Sequence, residues 1–214
     1  MTTQTERARA LLRHHGRTFA AELGAPVRRN TPAPLFQLLY FSLLTSAPVQ
    51  ANVAMHGARA LREAGWTTPA KLADSTWRQR TDTLNRAGYA RVDEKTATQL
   101  ADLTEQVQSR YRGDLRRLRD EADGDPERAQ KALKRFKGIG DTGAAIFLRE
   151  VQVAWPEFQP FADPAALSAA GRLDLPEEAR ALARLVPASR FAELVAALVR
   201  TKLARDYKAI RAAA

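Results

Sequence analysis

The sequence predicts an all-α protein, and three observations carry that reading. Apolar residues recur at helical spacing along most of the chain. No stretch of alternating β-branched residues reads as a strand. Gly24, Gly65, Gly88 and Gly113 fall where periodic segments end, as helix stops do.

An opening helix is expected over residues 4–23, stopping at Gly24, after which the polar, basic connector APVRRNTPAP leads to an apolar helix from Leu35 to Ser46. Pro48 interrupts the helical pattern, which resumes and runs to Glu63 before Gly65. Short helices are expected over Pro69–Ala73 and Ser75–Arg86, ending at Ala87-Gly88-Tyr89, and a long polar helix from Asp93 to Arg112. The turn Gly124-Asp125-Pro126 starts the next helix, with Asp125 as its cap and Pro126 in its first turn. Its partner is expected over residues 141–153. Beyond Trp155-Pro156 the pattern is irregular up to Asp163, and helices follow over 164–171, 177–185 and 188–211.

At 214 residues the chain can bury a substantial core. Lysine and arginine number 34 against 24 acidic residues, and the resulting charge of +10 suits a polyanion such as nucleic acid, although it equally describes a soluble basic surface. The chain has no cysteine, which excludes disulfides, thiolate zinc sites and cysteine-ligated iron–sulfur clusters. No apolar run approaches the ~20 residues of a membrane span, and the first residues lack the apolar core of a secretion signal, so no membrane partner is expected and the cytoplasm is the expected location. His14 and His15 are adjacent, without an acidic cluster, so no metal is expected. Arg110, Arg112, Arg116, Arg117 and Arg119 are interspersed with Asp114, Asp120 and Glu121 and read as a solvated face before a phosphate track.

The segment LKRFKGIGDTGAAIFL, Leu133 to Leu148, is the most informative in the chain. Its apolar positions describe two helices packed on each other, joined by Gly138-Ile139-Gly140. The glycines permit a tight hairpin and leave the amides that open the second helix unobstructed. A helix N-terminus of this kind attracts phosphate. Lys137, Gly138, Ile139, Gly140, Thr142 and Gly143 are therefore the candidate DNA-binding residues, and Ala144 is the expected point of close helix approach. The alternative is an ordinary tight turn between two core helices.

Twenty-three residues after Gly140 stands Asp163, in Phe161-Ala162-Asp163-Pro164-Ala165-Ala166-Leu167. The order of hairpin, Pro- and aromatic-containing link and acid resembles the helix-hairpin-helix DNA glycosylases, the superfamily of endonuclease III. Thr31-Pro32, Leu43-Leu44-Thr45-Ser46, Gly88-Tyr89 with Lys95 and Ala97, and Val186-Pro187-Ala188 extend the likeness over roughly residues 30–200. The resemblance implies a two-lobed helical fold with a central cleft, one domain over 31–154 and a second over 1–30 plus 155–214. It implies double-stranded DNA as partner, gripped by its backbone without sequence reading, a monomeric enzyme, and a nucleotide turned out of the duplex into the cleft. Asp163 is then the catalytic acid, stabilising positive charge on the sugar and orienting the attacking water. A helix cap needs no catalysis to explain it, and Asp163-Pro164 also reads as one.

Departures from the family refine the expectation. Bifunctional members carry a Schiff-base lysine two residues after the second hairpin glycine, where this chain has Thr142, so the implied enzyme is monofunctional and leaves an abasic site. Asp141 places negative charge beside the expected phosphate, or caps the second helix. The cysteines of the family's 4Fe–4S cluster are missing and no cofactor is expected. Ala47 stands where the family has a polar residue that fills the gap left by the extruded base, with Gln50 or Asn52 as substitutes, and Tyr89 is the aromatic placed near the cleft. The rival expectation is a non-catalytic helix-hairpin-helix DNA-binding protein that has lost the chemistry. A helical module whose hairpin contacts protein is the more distant third.

Overall fold

The computed structural model describes residues 3–214; Met1 and Thr2, counted above with the second domain, lie outside it. The described residues are helical throughout, without a strand. Fourteen α-helices are present: α1 (Gln4–His15), α2 (Phe19–Leu23), α3 (Pro32–Ser46), α4 (Ala51–Glu63), α5 (Pro69–Ala73), α6 (Trp77–Arg86), α7 (Asp93–Tyr111), α8 (Arg116–Ala122), α9 (Pro126–Leu133), α10 (Asp141–Val151), α11 (Pro164–Gly171), α12 (Ala179–Ala183), α13 (Phe191–Ala204) and α14 (Tyr207–Ala212). No helix among the described residues is long and apolar enough to cross a membrane.

Side-chain caps set six of the fourteen starts among the described residues. Thr3 and Glu6 form a reciprocal capping box on α1, as Thr76 and Gln79 do on α6. Asp125 caps α9 through the amides of Glu127 and Arg128, with Pro126 in the first turn where its missing N–H costs nothing.

Two helices organise the interior. Helix α3 is apolar on every side and buried without a break from Pro34 to Leu44, as a helix surrounded by others must be. It packs against α4, α7 and α10. Helix α10 in turn touches α9 and α13, so it joins the hairpin to the C-terminal helices, while α1 and α11 both lie on α13. One contiguous core runs from Ala8 to Ile210.

Four elements differ from the expectation. The opening helix is interrupted at Gly16, where a Cβ would stand 2.1 Å from the Leu12 carbonyl oxygen, and Thr18 caps a new helix, α2. Helix α8 was not expected: Leu118 and Ala122 bury one face of a segment whose arginines and acids mask its periodicity. The 177–185 helix shrinks to the five residues of α12. The C-terminal helix breaks at Arg205, which takes a left-handed φ of 57°, dividing α13 from α14.

Candidate active site and nucleic-acid interface

The hairpin between α9 and α10 turns its apolar residues inward and its glycines outward. Phe136 is fully buried against Tyr111, ring centroids 6.0 Å apart, and Ile139 is buried beside it. Gly138 has φ +93°, and a Cβ there would stand 2.5 Å from the Gln99 amide nitrogen and 2.7 Å from a Leu43 methyl. Glycine at 138 is required by the fold. Gly140 differs: its φ of −96° suits any residue, and nothing of this chain lies within 4 Å of where its Cβ would be. No side chain caps α10, and the amides of Gly140, Asp141 and Thr142 find no acceptor among the described residues.

The charges around this elbow are partly matched internally. Asp141 does not cap its helix; its carboxylate accepts a hydrogen bond from Lys134 Nζ at 2.6 Å. Lys137 Nζ stands 3.2 Å from Asp102 Oδ2, a solvent-screened surface pair. Gly143, in the first turn of α10, is also a packing residue: it is buried, and a Cβ there would fall 2.0 Å from Ser46 Oγ and 3.0 Å from the Ser42 carbonyl oxygen. Gly143 thus faces the last turn of α3, while Ala144, the expected point of close helix approach, is fully buried.

Asp163 is 4% exposed and opens α11. Oδ1 accepts from the Ala166 amide at 2.9 Å, and Oδ2 accepts from Arg149 Nη1 at 2.5 Å. Arg149, on the inner face of α10, also reaches Glu150, with Nε 3.3 Å from Oε1, and its guanidinium lies 5.1 Å from the centre of the Phe19 ring. Glu150 is wholly buried, and its Oε2 accepts from the Ala20 amide at 2.8 Å. Burial pushes the Glu150 carboxyl above its ordinary value, opposed by Arg149, the Ala20 amide and Arg200. One guanidinium therefore ties α10 to α11 and, through Glu150, to α2. Arg149 and Glu150 were not singled out from the sequence, where an adjacent charged pair inside the apolar run from Ala144 to Val153 was the available signal.

These parts meet in a single concavity. A cleft of about 730 Å³ is walled by Asp141, Thr142, Ile146 and Arg149 of α10, by Gln130 of α9, by residues 161–165 with Asp163 at their centre, and by Lys202 and Leu203 of α13. Phe19, Phe41 and Thr45 close the remaining side. The start of the second hairpin helix and the acid thus share one cleft.

No family model matches this chain, and no curated protein does.

Other expected residues lie elsewhere. Tyr89 is fully buried in the core with its hydroxyl donating to the Leu44 carbonyl at 2.8 Å, so it is a packing residue and not a cleft aromatic. Around the α3–α4 link the cleft wall is Thr45, Val49 and Ala51; Ala47 caps the end of α3, and the exposed Gln50 precedes α4. Arg110, Arg116 and Arg119 pair with Glu121, Asp114 and Glu157.

Chemically, the cleft offers an anion at its floor, open amides at its rim and apolar walls between. A carboxylate has about four lone-pair sites, and two are taken here by Ala166 and Arg149. The rest have no hydrogen-bond donor among the described residues.

Proposed function

We propose that this chain is a base-excision-repair protein of the helix-hairpin-helix glycosylase type, a monofunctional DNA N-glycosylase that hydrolyses the glycosidic bond of a damaged or mismatched base. One observation carries the reading: Asp163 and the uncapped start of α10 line the same cleft. The amides of Gly140, Asp141 and Thr142 hold a phosphate of the strand, aided by the helix dipole. The target nucleotide turns out of the duplex into the apolar cleft. As the bond to the base lengthens, positive charge grows on the sugar, and Asp163 stabilises it while orienting the incoming water. Thr142 stands at the cleft edge where a lysine would form an imine, so the reaction ends at an abasic site.

A second reading is favoured by one contact. Arg149 occupies Asp163 Oδ2 and sets positive charge beside the place where positive charge must develop, which suits a DNA-binding protein without glycosylase chemistry.

Two measurements test these readings. Gly140→Ala meets no atom of this chain, so it leaves the melting temperature unchanged and weakens duplex binding; Gly138→Ala is a poorer test because it collides with Gln99 and Leu43. Base release from duplexes carrying alkylated, oxidised, deaminated or mismatched bases is expected from the wild type and lost in Asp163→Asn. Binding without release from any lesion selects the non-catalytic reading, and absence of duplex binding removes both.

A further inference from the structure

On its α13 side the cleft adjoins a second concavity of about 280 Å³, the two sharing Phe19, Ala51 and Leu203 in their walls. Leu203 is 54% exposed on this shared wall, an unusual setting for a large apolar side chain. The second concavity shares His15, Glu22 and Arg200 with a third, of about 550 Å³, whose far walls carry Arg13, Arg17 and Arg59. Three adjoining concavities therefore line the surface from the Asp163 cleft to the C-terminal end of α1.

The end of that row has surplus positive charge. Glu22 is the carboxylate shared by Arg59, at 3.1 Å, and Arg200, at 2.6 Å. Asp206 answers His15 at 2.6 Å. Arg13 and Arg17 have no carboxylate within ion-pair distance among the described residues; each donates to a main-chain carbonyl, of Ala213 and Ala21, both at 2.7 Å. Hydrogen bonds to neutral carbonyls fix the two guanidinium groups without cancelling their charge. Four arginines stand against one glutamate, and all four are held in place before any partner arrives.

We infer that this basic end of the row, built by Arg13, Arg17 and Arg59, is a second backbone-binding station that holds the phosphodiester chain where it leaves the cleft. The inference rests on the proposed DNA reading and adds a site to it. Guanidinium groups match phosphate oxygens in shape and charge. The adjoining concavities supply the path, and the open amides of α10 grip the strand at the cleft end. Leu203, midway, contributes an apolar edge over which the strand bends. With two stations flanking it, the strand is held on both sides of the nucleotide that enters the cleft.

The test is the salt dependence of duplex binding by the full chain, followed by fluorescence anisotropy. Removing one arginine–phosphate interaction lowers the slope of log affinity against log salt by about 0.9, so the Arg13→Gln/Arg17→Gln double variant is expected to lower it by about 1.8. Its melting temperature is measured alongside, and Arg59→Gln, made separately, carries the same test if the double variant melts early. Gly140→Ala serves as the control for the other end. A reduced slope in a folded variant supports the station. An unchanged slope, in a protein whose duplex binding still weakens on Gly140→Ala, overturns the station and leaves the cleft reading standing. If the wild type binds no duplex, both fall.

Discussion

Removing the Arg149 guanidinium is the sharpest probe of how this interior is held together. In Arg149→Ala, Asp163 keeps one hydrogen bond, from Ala166, and Glu150 keeps one, from Ala20. Both carboxyls stay in a region where the native residues are 4% and 0% exposed, without the cation they share. Breaking a buried ion pair by deleting one partner costs about 3–5 kcal/mol, because the survivor is left charged and desolvated. For a domain of this size about 4 kcal/mol corresponds to a fall of roughly 8–16 °C in melting temperature. The pH dependence has a definite sign. The Glu150 carboxyl is raised above its ordinary 4.5 in the fold, so its contribution to stability is fully present below about pH 4.5 and is lost as pH rises through the folded value. Arg149 opposes that rise. Without it the folded value climbs further, the loss with pH steepens, and the variant's deficit grows from acid toward neutral pH. Urea unfolding of both proteins at several pH values reads this directly. A deficit under about 1 kcal/mol at neutral pH, far short of the cost of an orphaned buried charge, or one that is the same at every pH, would refute the account.

Three further outcomes follow from the packing. Gly143→Ala places a methyl 2.0 Å from Ser46 Oγ and forces α3 from α10; overpacking of this kind costs about 1–3 kcal/mol, and adding Ser46→Ala recovers part of it in urea unfolding. Tyr89→Phe leaves the Leu44 carbonyl without its 2.8 Å partner and lowers stability by about 1 kcal/mol, with no change in any cleft property. Glu150→Gln removes the titration, so the unfolding free energy of wild type relative to variant declines with rising pH above about 4.5; a flat difference would place the proton elsewhere.

Much of the fold was legible because helix boundaries are local chemistry. The pairs Asp125-Pro126 and Asp163-Pro164 announce α9 and α11, each with an acid that caps and a proline that cannot continue backwards. The break at Gly16 was hidden, since apolar spacing carries through from α1 into α2; its signal is the glycine itself, at a position where a Cβ would collide with the Leu12 carbonyl. Helix α8 was hidden by charge: the eye meets its arginines before Leu118 and Ala122. At the site, the hairpin and its acid were readable as a motif, but their roles divided only in three dimensions. Gly138 and Gly140 look alike in sequence, and one is demanded by Gln99 and Leu43 while the other meets nothing. The Arg149–Asp163 pair spans 14 residues and two helices, and no local rule connects them.

That pair also changes what a substitution at 163 can prove. An N-cap is served by Ser, Thr or Asn as well as by Asp, so capping alone does not require a carboxylate there; a buried guanidinium 2.5 Å away does. Asp163→Asn therefore removes the cleft's anion and unbalances Arg149 together, and lost base release would be ambiguous between chemistry and folding. The combination Arg149→Met/Glu150→Gln/Asp163→Asn separates them. It removes the guanidinium together with both carboxylates that share it and leaves no buried orphan charge among the three, which for buried ion pairs and triads is often neutral for stability, while the cleft still lacks its carboxylate. Under the proposed mechanism this triple variant melts closer to wild type than Arg149→Ala, keeps duplex binding through the elbow, and releases no base. Base release by the triple variant would mean that Asp163 serves the fold alone and that the glycosidic bond is attacked without it.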